Sequence, residues 1–194
     1  MSSRVLRRRD KTPGSGLRAV IAAQERGGSP PPIPIPPEAA TVKLDFDSFL
    51  LESFTAEDAW ELGHLLYARL LPFSGQRPTL ISIALANGQV LFQSAVGSGT
   101  TLDNEIWVQR KRNTVLRFGE STWFQHCKYA GDEDAFRLKF GMSHDQAEKY
   151  AIHGGGVPIR VKGVEGIVAV VVVSGLRQQE DHGVIVDVIN NNWE

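Results

Sequence analysis

Apolar residues at Trp60, Leu62, Leu65, Leu66 and Leu70 have the spacing of one face of an amphipathic helix. Thr55-Ala-Glu-Asp58 ahead of them reads as a capping box, and Pro72 closes the segment. His64 lies inside this helix and reads as a packing or surface residue. The pattern then changes. Leu80 to Leu85 is a short apolar strand, and Gln89 to Val96 returns until Gly97-Ser-Gly99 breaks it. Asn87-Gly88 between them predicts a type I′ turn, because both of its central residues need positive φ. Thr101 to Phe118 reads as a helix of mixed character. Asp132-Glu-Asp134 suits a helix start and Gly141 a stop, and Ser143-His-Asp-Gln146 caps a short helix through Tyr150. Val157 to Val161 and Gly166 to Val173 are strands separated by so short a gap that they pair antiparallel. Glu180 to Ile189 reads as a closing helix, with Val184-Ile-Val186 leaving a strand open. Helix, hairpin, helices, hairpin, helix is an α+β layout, with helices covering a central sheet.

The 194 residues suit one domain with an appendage, or two very small domains, and a 42% hydrophobic content supplies a core. The net charge of −1 does not advertise nucleic-acid binding. Its distribution is uneven. Residues 1–40 carry seven Arg or Lys against three acids, while 41–194 carry fourteen against nineteen. The break coincides with Pro30 to Pro37, six prolines in eight residues, which reads as a polyproline-II spacer. We therefore expect a disordered basic tail and Pro-rich linker over 1–40 and a domain over 41–194. Pro13-Gly14 should break any helix in the tail, which argues against a mitochondrial presequence. No apolar run reaches the roughly 18–20 residues needed to cross a bilayer. Cys127 is the single cysteine, so no internal disulfide forms and a cytoplasmic, reducing location is expected. Beside His126 it reads as a half-buried thiol rather than a thiolate pair.

Candidate chemistry gathers in two places. Asn104, Trp107, Lys111 and Thr114 share one face of the 101–118 helix, with Arg110 at its edge. That face is either a polar ligand wall or an interface, or Trp107 buries itself while the cations snorkel. The second place is His153-Gly-Gly-Gly156, followed by Lys162 and the valine-rich strand that ends at Ser174-Gly175. Successive glycines permit positive φ and leave amides unscreened. Together with Lys162 and the Arg110-Lys111 pair, the amides of Gly154 to Gly156 could hold a carboxylate or phosphate; the competing reading leaves these cations at a subunit interface or in solvent. The five scattered histidines and lone cysteine give no zinc ligand set. The phosphate-loop and nucleophile-elbow motifs are absent, and Ser174-Gly175 reads as a strand end.

Asp103-Asn104, Trp107-Val108, Arg110-Lys111, Thr114-Val115, His153-Gly-Gly, Pro158-Ile159, Val161-Lys162-Gly163, Val173-Ser-Gly-Leu176 and Asp181-His182, in this order, resemble the haem-degrading-domain family. More narrowly, they resemble its branch still classed as an uncharacterised protein family. The resemblance runs from about Phe46 to the C-terminus. Gly156-Val157 and Val164-Glu165 depart from that branch's usual pattern. The resemblance implies a profilin-like α/β/α sandwich with a mostly antiparallel central sheet, symmetric homo-oligomers, and haem binding or breakdown. Haem needs an axial ligand and an apolar slot. His153, His182, His126 and Tyr150 are the candidates, and attachment would be non-covalent because no Cys-x-x-Cys-His motif occurs. The expected function is thus a homo-oligomeric small-molecule or haem-related binding protein with no recognisable catalytic constellation. The alternative is an oligomeric scaffold or chaperone adaptor that presents its C-terminal segment, Asn190 to Glu194, to protein partners.

Overall fold

The computed structural model describes residues 4–26, 29–37 and 48–194. Five strands form one sheet in the order β1-β4-β5-β2-β3. They are β1 (Phe49–Leu51), β2 (Thr79–Leu85), β3 (Val90–Val96), β4 (Gly156–Val161) and β5 (Ala169–Ser174). Both expected hairpins, β2–β3 and β4–β5, are antiparallel, and only β1 runs parallel, beside β4.

The central strand shows why the sheet is covered on both faces. Every residue of β5 is buried, and alternate side chains leave a strand on opposite sides. Val171 and Val173 join the larger core with Leu62 and Leu66 of α2 (Ala56–Leu70) and Ile185 and Ile189 of α7 (Gln178–Asn192). Val170 and Val172 pack instead on Val108 and Val115 of α3 (Leu102–Phe118). The result is the α/β/α arrangement, with a mostly antiparallel sheet between helices.

The local expectations hold with adjustments. Thr55 and Asp58 form the reciprocal capping box at the start of α2. The Asn87-Gly88 turn is not type I′: Gly88 has φ +92 and Asn87 is not left-handed. The Gly88 amide donates to the Leu85 carbonyl at 2.9 Å, so a type I turn is followed by a left-handed glycine, the usual route into a bulged hairpin. A separate irregularity lies further along β3, where the pairing shifts between Ile83 and Ala84. Two short helices, α4 (Thr122–Lys128) and α5 (Glu133–Lys139), follow α3. The helix expected through Tyr150 is one turn, α6 (His144–Ala147). The closing segment is helical despite its valines, because Val184, Ile185 and Val188 are needed in the core.

The N-terminal residues correct the reading of a solvated tail. Leu6 pairs with Leu51, and Arg8 with Trp193. Pro13-Gly14 precedes a helix instead of breaking one: α1 (Ser15–Glu25) lies against α2. Ile33 is only 6% exposed and belongs to the main core. The physical reason is complementarity. The basic head meets the acidic domain through Arg7–Glu52 at 2.9 Å and Arg8–Asp58 at 3.4 Å. The proposed domain start at Thr41 falls outside the described residues.

Candidate functional site

Helix phase places Lys111 on the same stripe as Val108 and Val115, and it is only 2% exposed. A buried ammonium must be paired or neutralised. Lys111 Nζ lies 3.0 Å from Asp181 Oδ2 and donates to the Val173 carbonyl, also at 3.0 Å. Asp181 comes from the first turn of α7 and is itself 3% exposed. Its other oxygen accepts the Leu176 amide at 2.9 Å. Burial pushes the Asp181 carboxyl up from its usual range, and Lys111 and the Leu176 amide oppose that shift.

The triple glycine packs against this pair. Gly155 has φ +111, and a Cβ there would stand 2.5 Å from the Val173 carbonyl oxygen and 2.8 Å from Lys111 Nζ. A side chain is excluded both by conformation and by contact. The neighbouring amides are already engaged: Gly154 donates to Gln178 Oε1 at 3.2 Å and Gly156 to Thr122 Oγ1 at 2.9 Å. The glycines allow close approach, and the Gly154 and Gly156 amides are engaged within the fold rather than open to an anion.

Above the ion pair opens a cavity of about 350 Å³. Asn104 and Trp107 form its α3 wall, with His153 and Gln178 on the other side and Lys111 and Asp181 lining it too. Ser174, Gly175, Leu176 and Asp103 complete it. The His153 ring stands edge-on to Trp107 at 4.9 Å. Burial lowers the His153 pKa, Glu133 opposes this, and Lys111 adds to it. Lys111 is balanced by Asp181, and Asp103 adds a further carboxylate to the lining.

The structure therefore gathers Asn104, Trp107, Lys111 and His153, with Gly154 and Gly155 behind them. It does not bring in the other predicted residues. Arg110 turns away, with its guanidinium 4.6 Å from the Trp107 ring and its Nε donating to the Tyr150 carbonyl at 3.0 Å. Lys162 is exposed just beyond the far end of β4 from Gly156. His182 is fully buried outside the cavity, 6.2 Å from the Trp123 ring, which stacks on His126 at 5.1 Å. Sequence reasoning missed Asp103, Gln178 and Asp181 as site residues and set Ser174 aside. A signal existed for Asp181: a carboxylate next to the apolar run Val184 to Val186 needs a cation, and Lys111 sits on a valine stripe.

The four candidate haem ligands are differently placed. A porphyrin needs an apolar slot and an accessible axial ligand. The cavity offers Trp107 and Leu176 as apolar walls beside polar side chains. His182 is sealed in the packing, and His126 lies flat on Trp123. Tyr150 lies under the Arg117 guanidinium, 4.8 Å from it, in a separate aromatic cluster. Only His153 reaches the cavity.

The UPF0303 protein YBR137W of Saccharomyces cerevisiae is 38% identical over 132 residues, covering 68% of this chain and 71% of its own. A UPF0303 protein of Psychromonas ingrahamii is 41% identical over 141 residues, covering 71% and 82%. The crystal structure of Ybr137w superposes with a TM-score of 0.65 at 36% identity, over 72% of this chain and 78% of that one. The crystal structure of HbpS shares the fold, with a TM-score of 0.53 at 20% identity, over 71% and 89%. The family model described as haem-degrading protein HbpS-like matches residues 54–190, and with its UPF0303 relatives this chain belongs to the HbpS-like haem-degrading protein family.

Proposed function

We propose that this protein binds a small polar molecule, neutral or singly cationic, in the cavity between α3, the glycine loop and α7. The observation that carries the reading is the buried Lys111–Asp181 pair beneath the Trp107 and His153 walls. Polar groups converging on a pocket with an aromatic side are the usual form of a small-molecule site. The Asp103 carboxylate in the lining speaks against the anionic ligand suggested by sequence. A thermal-shift screen of small amines, amides and carboxylic acids tests this. Stabilising compounds should lose their effect in Trp107→Ala and keep it in Lys162→Ala. Carboxylic acids as the only hits would reverse the charge assignment.

Family membership keeps a haem-related role in view, and the exposed side of His153 is where it would act. Titration of ferric haem should give no saturable Soret shift. A one-to-one shift abolished by His153→Ala would restore the haem reading. We also place the protein in the cytosol as a homo-oligomer. Leu102 and Ile106, 76% and 45% exposed beside the cavity, supply an apolar surface on α3 for a second copy. Sedimentation equilibrium giving a 21.3 kDa particle would contradict this. The adaptor alternative needs a presented C-terminus. Trp193, however, is 3% exposed, and Glu194 exchanges backbone hydrogen bonds with Arg7.

A further inference from the structure

We propose that residues 14–26 and 29–37 are a brace that holds the cavity wall in place from behind, with Glu61 as its latch. Its meaning for ligand binding rests on the cavity reading above; its mechanics do not.

The helix α1 has no side-chain cap of its own. Its first donors cross instead to a carboxylate on α2. Glu61 accepts the Gly14 and Gly16 amides at 2.6 Å each and the Ser15 hydroxyl at 3.1 Å. Glu61 is 1% exposed, and the hydrogen bonds described for its carboxylate all come from this stretch. Gly16 is required by the fit: a Cβ would lie 2.6 Å from the Glu61 carbonyl oxygen and 2.9 Å from His64 Cβ.

The proline segment then crosses to α7. Arg69 joins the parts, donating through Nη2 to the Pro32 carbonyl at 2.9 Å and through Nε to Asp187 at 2.8 Å. Ile33 enters the main core, and the Pro34 carbonyl presses on Gly183 so closely that any side chain there would overlap it. The Pro37 carbonyl accepts Trp123 Nε1 at 3.1 Å.

These last two contacts reach the cavity. Gly183 lies two residues beyond Asp181 on α7, facing the proline segment while Asp181 faces Lys111. Trp123 backs the glycine loop, since a Cβ on Gly154 would stand 2.9 Å from its ring. Two elements packed on the ion pair, α7 and the glycine loop, are thus backed by residues 33–37. The family match begins at residue 54, so the brace is added to a domain that contains its receptors Glu61, Trp123 and Gly183.

Hydrogen exchange on the full chain, without ligand, tests this. Glu61→Gln keeps the shape but replaces one acceptor oxygen with a donor. It should speed exchange in residues 14–26 and 178–183 by about tenfold or more, the factor of one lost charge-assisted bond. Protection in β2 and β5 should hold. Trp123→Phe removes the bond to Pro37 and part of the buried ring behind the glycine loop, and should loosen 153–156 while sparing 14–26. The proposal fails if Glu61→Gln leaves 14–26 unchanged, or loosens it while 178–183 stays at the wild-type rate. It also fails if both variants lose protection in β2 and β5 together, because the segment would then be part of one cooperative core.

Discussion

Lys111 is the residue on which the site turns, a cation that helix geometry places among valines. Removing one member of a buried pair leaves the other charged and unpaired, which costs about 3–5 kcal/mol. Lys111→Met should therefore destabilise strongly in urea, and Lys111→Met with Asp181→Leu should recover much of the loss. Equal stability of wild type and Lys111→Met would show that the pair holds nothing. Gly155→Val should cost at least the ~1–3 kcal/mol of a strained backbone position, lowering the melting midpoint by ~2 °C or more, because its Cβ meets backbone and the ion pair. An unchanged midpoint would contradict the packing described for the loop. At this scale the sequence was legible in part. Asn104, Trp107 and Lys111 share a helix face by spacing alone. Asp181 was hidden because its partner is seventy residues away. Lys162 misled because nearness in sequence to the glycines became distance along an extended strand.

Elements with strong local signals were read well. The α2 capping box, both hairpins and the α3 stripe each carry their own start, stop or period. The type I′ expectation at Asn87-Gly88 failed because the same dipeptide also serves a type I turn with a left-handed glycine, and the bulge decides between them. The N-terminal segment was misread because its order comes from distant partners. Glu61 gives that element a pH dependence. Burial raises its pKa, but the Gly16 and Gly14 amides, the Ser15 hydroxyl and the Arg8 charge outweigh this, so it lies below the ordinary carboxylate value of 4.5. Asp58 and His64 also stand near. A lowered folded pKa means that the latch stabilises the fold above pH 4.5 and is lost as pH falls through the lower folded value. Limited proteolysis should find residues 14–26 resistant at pH 5 to 7 and exposed only under stronger acid. Release between pH 5 and 7 would contradict Glu61 as the latch.

The whole molecule is one sheet with helices on both faces, a basic N-terminal segment seated on an acidic domain, and a polar cavity at the end of the central strand. Fold and family were readable from the ordered motifs, since those motifs mark the strand ends and helix faces that build the sandwich. Ligand class was not, because it depends on which charges cancel in space. The most direct measurement is chemical-shift mapping on the full chain with a panel of small amines, amides and carboxylic acids. The account predicts that amines or amides shift the Trp107 indole N–H and the Asn104 side-chain amide, and that Trp107→Ala abolishes their binding. Perturbations confined to residues of α1 and α2, or none at Trp107 with any compound, would contradict it.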